Sequence, residues 1–188
     1  HKALIAIIKA NAYGHGDDMI AKKALACGAK ILAVSSLDEA LSLRYKKVKG
    51  PILVLGYVAP KDLPVAIEEK IIVTVTSMDW AKTILNQDLH GLVAHLKIDT
   101  GMNRMGLKTI DEIKTVLADF DQAGVIVEGL YTHFASSDDP KETQTKAQYD
   151  RFVSLYTQIG RSFKWVHCSN SDAAIHFDTP LCNAVRIG

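Results

Sequence analysis

The chain has 188 residues, 48% of them hydrophobic and 23% charged, with a net charge of +1 and a mean hydropathy of +0.07. This is the composition of one ordinary globular domain, residues 1–188, and so small a net charge gives no electrostatic reason to expect nucleic acid or an anionic membrane as a partner. Cys27, Cys168 and Cys182 are odd in number and lack C-x-x-C spacing, which argues against a disulfide framework or a zinc site, so no metal is expected and a reducing, cytoplasmic setting fits.

No apolar stretch reaches membrane-spanning length, and no signal-peptide pattern opens the chain. It begins at His1 and stops at Val-Arg-Ile-Gly, which reads as a segment of a longer protein. The first predicted strand, residues 4–8, is apolar and ends abruptly at Lys9, and a small-residue turn with Tyr13 follows. A lysine held at the end of a buried strand can be partly desolvated, which frees its amine to attack a carbonyl or aldehyde. A helix over 17–27 comes next, with Asp17 where an N-cap would help and Gly28 as its stop. Strands over 31–35, 51–55 and 71–75 then alternate with helices over 37–46, 61–69 and 78–87.

The fifth strand, 92–98, runs into LKIDTGMNRMG, which carries Lys97, Asp99 and Arg104 around a glycine turn. A helix over 110–122, with Thr109 as cap and Gly124 as stop, leads to strand 127–133, which ends at His133. The polar loop 136–145 reads as mobile or partner-facing and precedes a helix over 144–160. Strand 165–168 delivers His167, Asn170 and Ser171 to a short helix over 170–177, and strand 184–187 ends at Arg186, Ile187 and Gly188.

The strand runs are nearly continuous in Val, Ile and Leu, as in parallel strands covered on both faces. Eight β/α alternations predict a closed parallel (β/α)8 barrel of the TIM type, compact and lacking its opening and final helices; strand counting alone does not exclude an open sheet. In such a barrel the strand C-termini share one face, where loops build the site. Taken singly, His133 reads as a hydrogen-bonded core histidine, Lys97 as a buried partner of Asp99, Arg104 as a solvated loop residue and Asn170–Ser171 as a helix cap. Taken together, an amine, a phenol, two arginines and a serine at a helix start on one face suggest pyridoxal phosphate.

KANAYGHG, KIDTGMNRMG, EGLYTHFAS, HCSNS and the terminal NAVRIG, in this order and spacing, resemble the pyridoxal-phosphate barrel of the alanine racemase family, over nearly the whole chain. The resemblance implies that Lys9 is the Schiff-base lysine and one of two catalytic bases. Tyr13, Ser171 and Gly188 would hold the phosphate, with Ile187 beside it. Arg186 would face the pyridine nitrogen, bonded by His133, with Asn170 in the same supporting layer. Arg104 would contact the cofactor phenolic oxygen and the substrate carboxylate, and Lys97 matches a position carbamylated in several members. Asn103 stands where the family often has glycine or histidine and is expected to vary without consequence.

An arginine opposite the ring nitrogen, effectively never deprotonated, would keep that nitrogen unprotonated and favour prompt reprotonation at Cα. Related decarboxylases typically place a carboxylate there. The resemblance thus implies a cytoplasmic homodimer that interconverts L- and D-alanine for peptidoglycan, its second base a tyrosine from a C-terminal β-domain absent from these 188 residues. Two other readings stand beside it: a racemase of the same family acting on serine, and a barrel that carries pyridoxal phosphate without turnover.

Overall fold

A computed structural model describes residues 1–138 and 143–188, so part of the polar loop over 136–145 lies outside the described residues. Eight strands form one closed barrel in sequence order. They are β1 (Ala3–Ile7), β2 (Ile31–Val34), β3 (Ile52–Val54), β4 (Ile71–Val75), β5 (Val93–Lys97), β6 (Ile126–Tyr131), β7 (Trp165–His167) and β8 (Ala184–Ile187). Every neighbouring pair is parallel, and β8 closes on β1 through Ala3↔Ala184 and Ile5↔Arg186. This settles closure, which counting strands leaves open.

After β1 comes α1 (Lys9–Tyr13), then α2 (Asp17–Ala26), α3 (Leu37–Tyr45), α4 (Leu63–Glu68), α5 (Met78–Ile84), α6 (Ile110–Gln122), α7 (Thr143–Ile159) and α8 (Ser171–His176). Local chemistry sets their ends. Ser36 and Ser77 accept from the backbone N–H groups of Glu39 and Trp80, and Thr109 forms a capping box with Glu112. Asp17 is not the cap of α2: Gly16 holds that place, and Asp17 is the first helical residue, paired with Lys46 at 2.7 Å. A carboxylate in the first turn still suits the helix dipole. Pro60 opens a 3-10 turn (Pro60–Asp62), so α4 starts two residues later than the apolar pattern predicts.

Alternation along the strands divides the core. Leu32, Val34, Ile52, Val54 and Val73 join the large apolar layer under the helices. Ile5, Ile31, Ala33, Leu53 and Ile72 form a separate cluster inside the barrel. Full burial of each such side chain contributes about 1.5–3 kcal/mol. Beyond Ile72, most inward positions are polar: Thr74, His95, Lys97, Tyr131, His167 and Arg186 are all buried, with Ala184 the apolar exception in β8. The lumen is therefore apolar along β1–β3 and hydrogen-bonded along β4–β8, and such groups persist in a core only when paired.

Candidate active site

The C-terminal ends of the strands surround a cavity of about 370 Å³. Lys9 enters it from β1, just before a feature the sequence did not foreshadow: α1 is left-handed. Ala10, Asn11, Ala12 and Tyr13 have φ of 51°, 53°, 51° and 54°. Such a conformation costs non-glycine residues roughly 1–2 kcal/mol each, so neighbours must hold it. Glu39 does so by accepting from Ala10 N at 2.8 Å and Ser35 N at 2.7 Å, and Asn11 Oδ1 accepts from Asp17 N at 2.9 Å. The turn swings Tyr13 back beside Lys9, whose Nζ lies 5.9 Å from the phenol ring centroid.

Gly188 lies against this turn. A Cβ there would come within 2.6 Å of Ile7 Cβ and 3.0 Å of Tyr13 Cε2, so only glycine leaves the seat open. Ser171, at the start of α8, shares the seat: Gly188 N donates to its Oγ at 3.3 Å. The hydroxyls of Tyr13 and Ser171 and this backbone N–H could together hold an anionic group.

Arg186, 4% exposed, forms the base of the cavity. Its NH1 donates to His167 Nδ1 at 2.8 Å; its NH2 faces the carbonyls of Cys168 (2.8 Å) and Thr132 (3.0 Å) and His133 Nδ1 (3.0 Å). Nε is the one guanidinium nitrogen with no partner among the described residues, and Arg186 lines the cavity. Burial, then the charge of Arg186, push the His133 imidazole down to about 3. His133 is therefore neutral, and since Nδ1 accepts from Arg186 its proton sits on Nε2.

Tyr131 stacks on His167, with ring centroids 4.7 Å apart and planes 9° apart. Thr74 donates its proton to Val54 O at 2.7 Å, so it must accept from the Tyr131 hydroxyl at 3.0 Å. Burial raises that phenol to about 12. Its proton is committed to the wall.

Lys97 ends β5, and the loop after it brings in Arg104. Lys97, 3% exposed, makes no salt bridge to Asp99; burial first, then Arg104 and Arg186, push its amine down to about 8. Asp99 instead shapes the loop, accepting from Gly101 N at 3.1 Å and Asn103 N at 2.9 Å. Asn103 has φ +55°, so glycine or asparagine suits the position and free variation does not. Arg104 is exposed and donates no hydrogen bond within the described residues, which leaves its planar fork open toward the cavity.

The cavity thus gathers Lys9, Tyr13, Lys97, Arg104, His133, Asn170, Ser171, Arg186 and Gly188. Ile187, 37% exposed, is not among its lining residues. Asn170 lines it without bonding Arg186; its Oδ1 caps α8 through Ala173 N and accepts from Ser137. Sequence reasoning missed Ile7, Ser35, Leu55, Gly56, Met105 and Tyr131. Ser35 and Leu55 are the last residues of the predicted strands over 31–35 and 51–55, so collecting the final residue of every predicted strand would have found them. Among the described residues no group of three or more His, Cys, Asp or Glu side chains is arranged to hold a metal ion, and no helix is long and apolar enough to cross a membrane.

The family described as "Alanine racemase, N-terminal domain" matches residues 1–188. Alanine racemase 1 of Bacillus subtilis is 43% identical over 190 residues, covering 100% of this chain and 49% of that protein. Alanine racemase of Geobacillus stearothermophilus is 42% identical over 98% of this chain and 48% of its own length. Among solved structures, alanine racemase from E. faecalis superposes with a TM-score of 0.92 at 36% identity, over 100% of this chain and 52% of that one. That from Bacillus anthracis with bound L-Ala-P gives 0.90 at 39% identity, over 100% and 50%. The chain spans about half the length of the curated relatives it matches.

Proposed function

The chain belongs to the alanine racemase N-terminal domain family, and from that membership we propose that it is the cofactor-binding barrel of a pyridoxal 5'-phosphate-dependent enzyme that interconverts L- and D-alanine. The observation that carries the reading is one cavity presenting the Lys9 amine, the spare Arg186 Nε–H and the open seat at Gly188. The residues fit the group: an amine for its aldehyde, a permanent donor for its ring nitrogen, and hydroxyls around a cradle that a Cβ would fill. When bound, the cofactor supplies an electron sink that acidifies the substrate Cα proton.

The chain's own residues do the rest. Lys9 Nζ anchors the cofactor and, once released, takes or returns the Cα proton on one face. Tyr13, Ser171 and Gly188 hold the phosphate, near Ile187 at the end of β8. Arg186 donates to the ring nitrogen and never supplies a proton to it, which weakens the sink and favours prompt return of the proton to Cα. His133, held neutral, completes the wall around Arg186. Arg104 binds the substrate carboxylate with its two-pronged donor and so retains the carboxyl group. Lys97 is suited to carbamylation: its neutral amine attacks carbon dioxide, an N–C bond forms and one proton leaves, replacing a cation beside two arginines with an anion that orients Arg104.

Racemisation needs an acid/base group on each face of Cα. Tyr131 is excluded, because its hydroxyl proton is bound to Thr74. Tyr149 accepts from Leu181 N and is not a cavity residue. As the family resemblance implies, we propose that the second base is a tyrosine outside these 188 residues, delivered by a second subunit of a cytoplasmic homodimer that makes D-alanine for the cell wall.

Two measurements test the reading. Borohydride reduction of the cofactor-loaded protein should leave the pyridoxyl group on Lys9, and label on another lysine would refute the assignment. The full-length protein should racemise L-alanine; activity on L-serine alone would move the substrate, and cofactor binding without turnover of either would leave a carrier.

A further inference from the structure

On the side away from the cavity, Arg186 is joined to a line of side chains running down the lumen to the opposite mouth of the barrel. Arg186 NH1 is 2.8 Å from His167 Nδ1, His167 Nε2 is 3.2 Å from His95 Nδ1, and His95 Nε2 faces Glu128 Oε1 at 3.7 Å. Both imidazoles are fully buried, and the two neutral rings lie in the polar half of the lumen.

The ends of the line fix the direction of every bond. A guanidinium only donates, so His167 Nδ1 is an acceptor and the His167 proton sits on Nε2. That proton points at His95 Nδ1, which is therefore an acceptor too, and the His95 proton sits on Nε2. His95 Nε2 has no hydrogen-bond partner, and a carboxylate is what stands opposite it. His95 first, then Lys164 at 2.8 Å, hold the Glu128 carboxyl below the usual range, so it is an anion that can only accept. Reversing either tautomer would set donor against donor between fully buried rings.

The backbone is shaped for this contact. Ala94 pairs with Val127, yet His95 pairs with Gly129, so Glu128 is an extra residue bulged from β6. A bulge of this kind re-aims its side chain. Beside it, a Cβ on Gly129 would lie 2.4 Å from His95 Cγ, so the absence of a side chain makes room for the imidazole.

We propose that Glu128 is a positioning residue for Arg186, acting through His95 and His167 to fix the guanidinium, and hence the spare Nε–H, from the far mouth of the barrel. The effect on the reaction rests on the ring-nitrogen role given to Arg186 above; the order of donors and acceptors does not. In the cofactor-free full-length protein, ¹⁵N NMR at neutral pH should find His95 and His167 both protonated at Nε2. A His167 protonated at Nδ1 would overturn the proposal, and this measurement needs no substitution. In Glu128→Leu, the tautomers set from the Arg186 end should persist, while the His95 and His167 resonances should move as the carboxylate opposite His95 Nε2 is lost. With cofactor loaded, kcat should fall about tenfold as the buried carboxylate facing His95 is lost, with KM for alanine held within about twofold. The pH dependence of the bound cofactor's absorbance should shift as well. A folded Glu128→Leu with unmoved His95 and His167 resonances and an unchanged cofactor spectrum would refute the relay. Failure of the wild type to bind cofactor would count against the racemase reading and leave the NMR result standing.

Discussion

Gly188 is the residue at which one methyl group should matter most. The carbon would meet Ile7 Cβ at 2.6 Å, which is strand-anchored and cannot swing away. Overpacking of that order costs about 1–3 kcal/mol, so Gly188→Ala should weaken pyridoxal phosphate binding about tenfold or more in a fluorescence titration; unchanged affinity would mean the seat is unused. Lys97 gives a pH test. Its amine is pushed down to about 8, and only the neutral form attacks carbon dioxide, so carbamylation should rise as pH rises through about 8. Labelled bicarbonate should tag Lys97 at the alkaline end and leave no tag in Lys97→Ala. At Arg186 a carboxylate would allow the ring nitrogen to stay protonated. Arg186→Glu should raise the ratio of keto-acid side product to racemised alanine, measured by coupled assay, and an unchanged ratio would remove the arginine from that role.

Among the elements, α1 carries the largest local debt, and Glu39 is the tie that holds it. Losing two hydrogen bonds to a partly buried carboxylate, Glu39→Ala should lower unfolding free energy by about 1–3 kcal/mol in urea. Ala10→Gly runs against the ordinary rule for glycine: relief of the φ 51° conformation offsets the added backbone entropy, so stability should hold or rise by up to about 1 kcal/mol. A clear loss would show that α1 is not strained. This element also marks what the sequence left hidden. The strands were legible because valine and isoleucine run unbroken through them, and the Thr109 cap because its Glu112 partner stands three residues on. Nothing in Ala-Asn-Ala-Tyr announces a left-handed turn, since three of its four residues are poor hosts for one and the cause is Glu39, a distant carboxylate. Lys9 and Arg186 stood out because charge at a strand end is conspicuous, and Arg104 through the motif around its glycine turn. His95 and Tyr131 were not, because a single polar residue inside an apolar run does not reveal which way it faces, and the lumen register decides that.

For the molecule as a whole, the buried histidines set a limit on the acid side. Unfolded, they take up protons below about 6.5. Folded, burial keeps His95 and His167 neutral below that range, and His133 down to about 3. The fold therefore has its full histidine contribution above about 6.5 and loses it as pH falls toward 3, by at most about 1.4 kcal/mol per histidine for each pH unit. Thermal melts across that interval should show the decline, and a flat profile would contradict the buried neutral assignment. Closure of the barrel has a consequence for how the molecule comes into being. Residues 3–7 of β1 find their second partner only in residues 184–187 of β8, and Lys9, Arg186 and Gly188 all gather along that seam. During synthesis, β1 waits while all the intervening strands emerge, and the growing sheet keeps two open edges on which other chains can pair. The pocket is complete only once β8 has emerged, so a ligand that lodges there does so only in chains whose first and eighth strands have met.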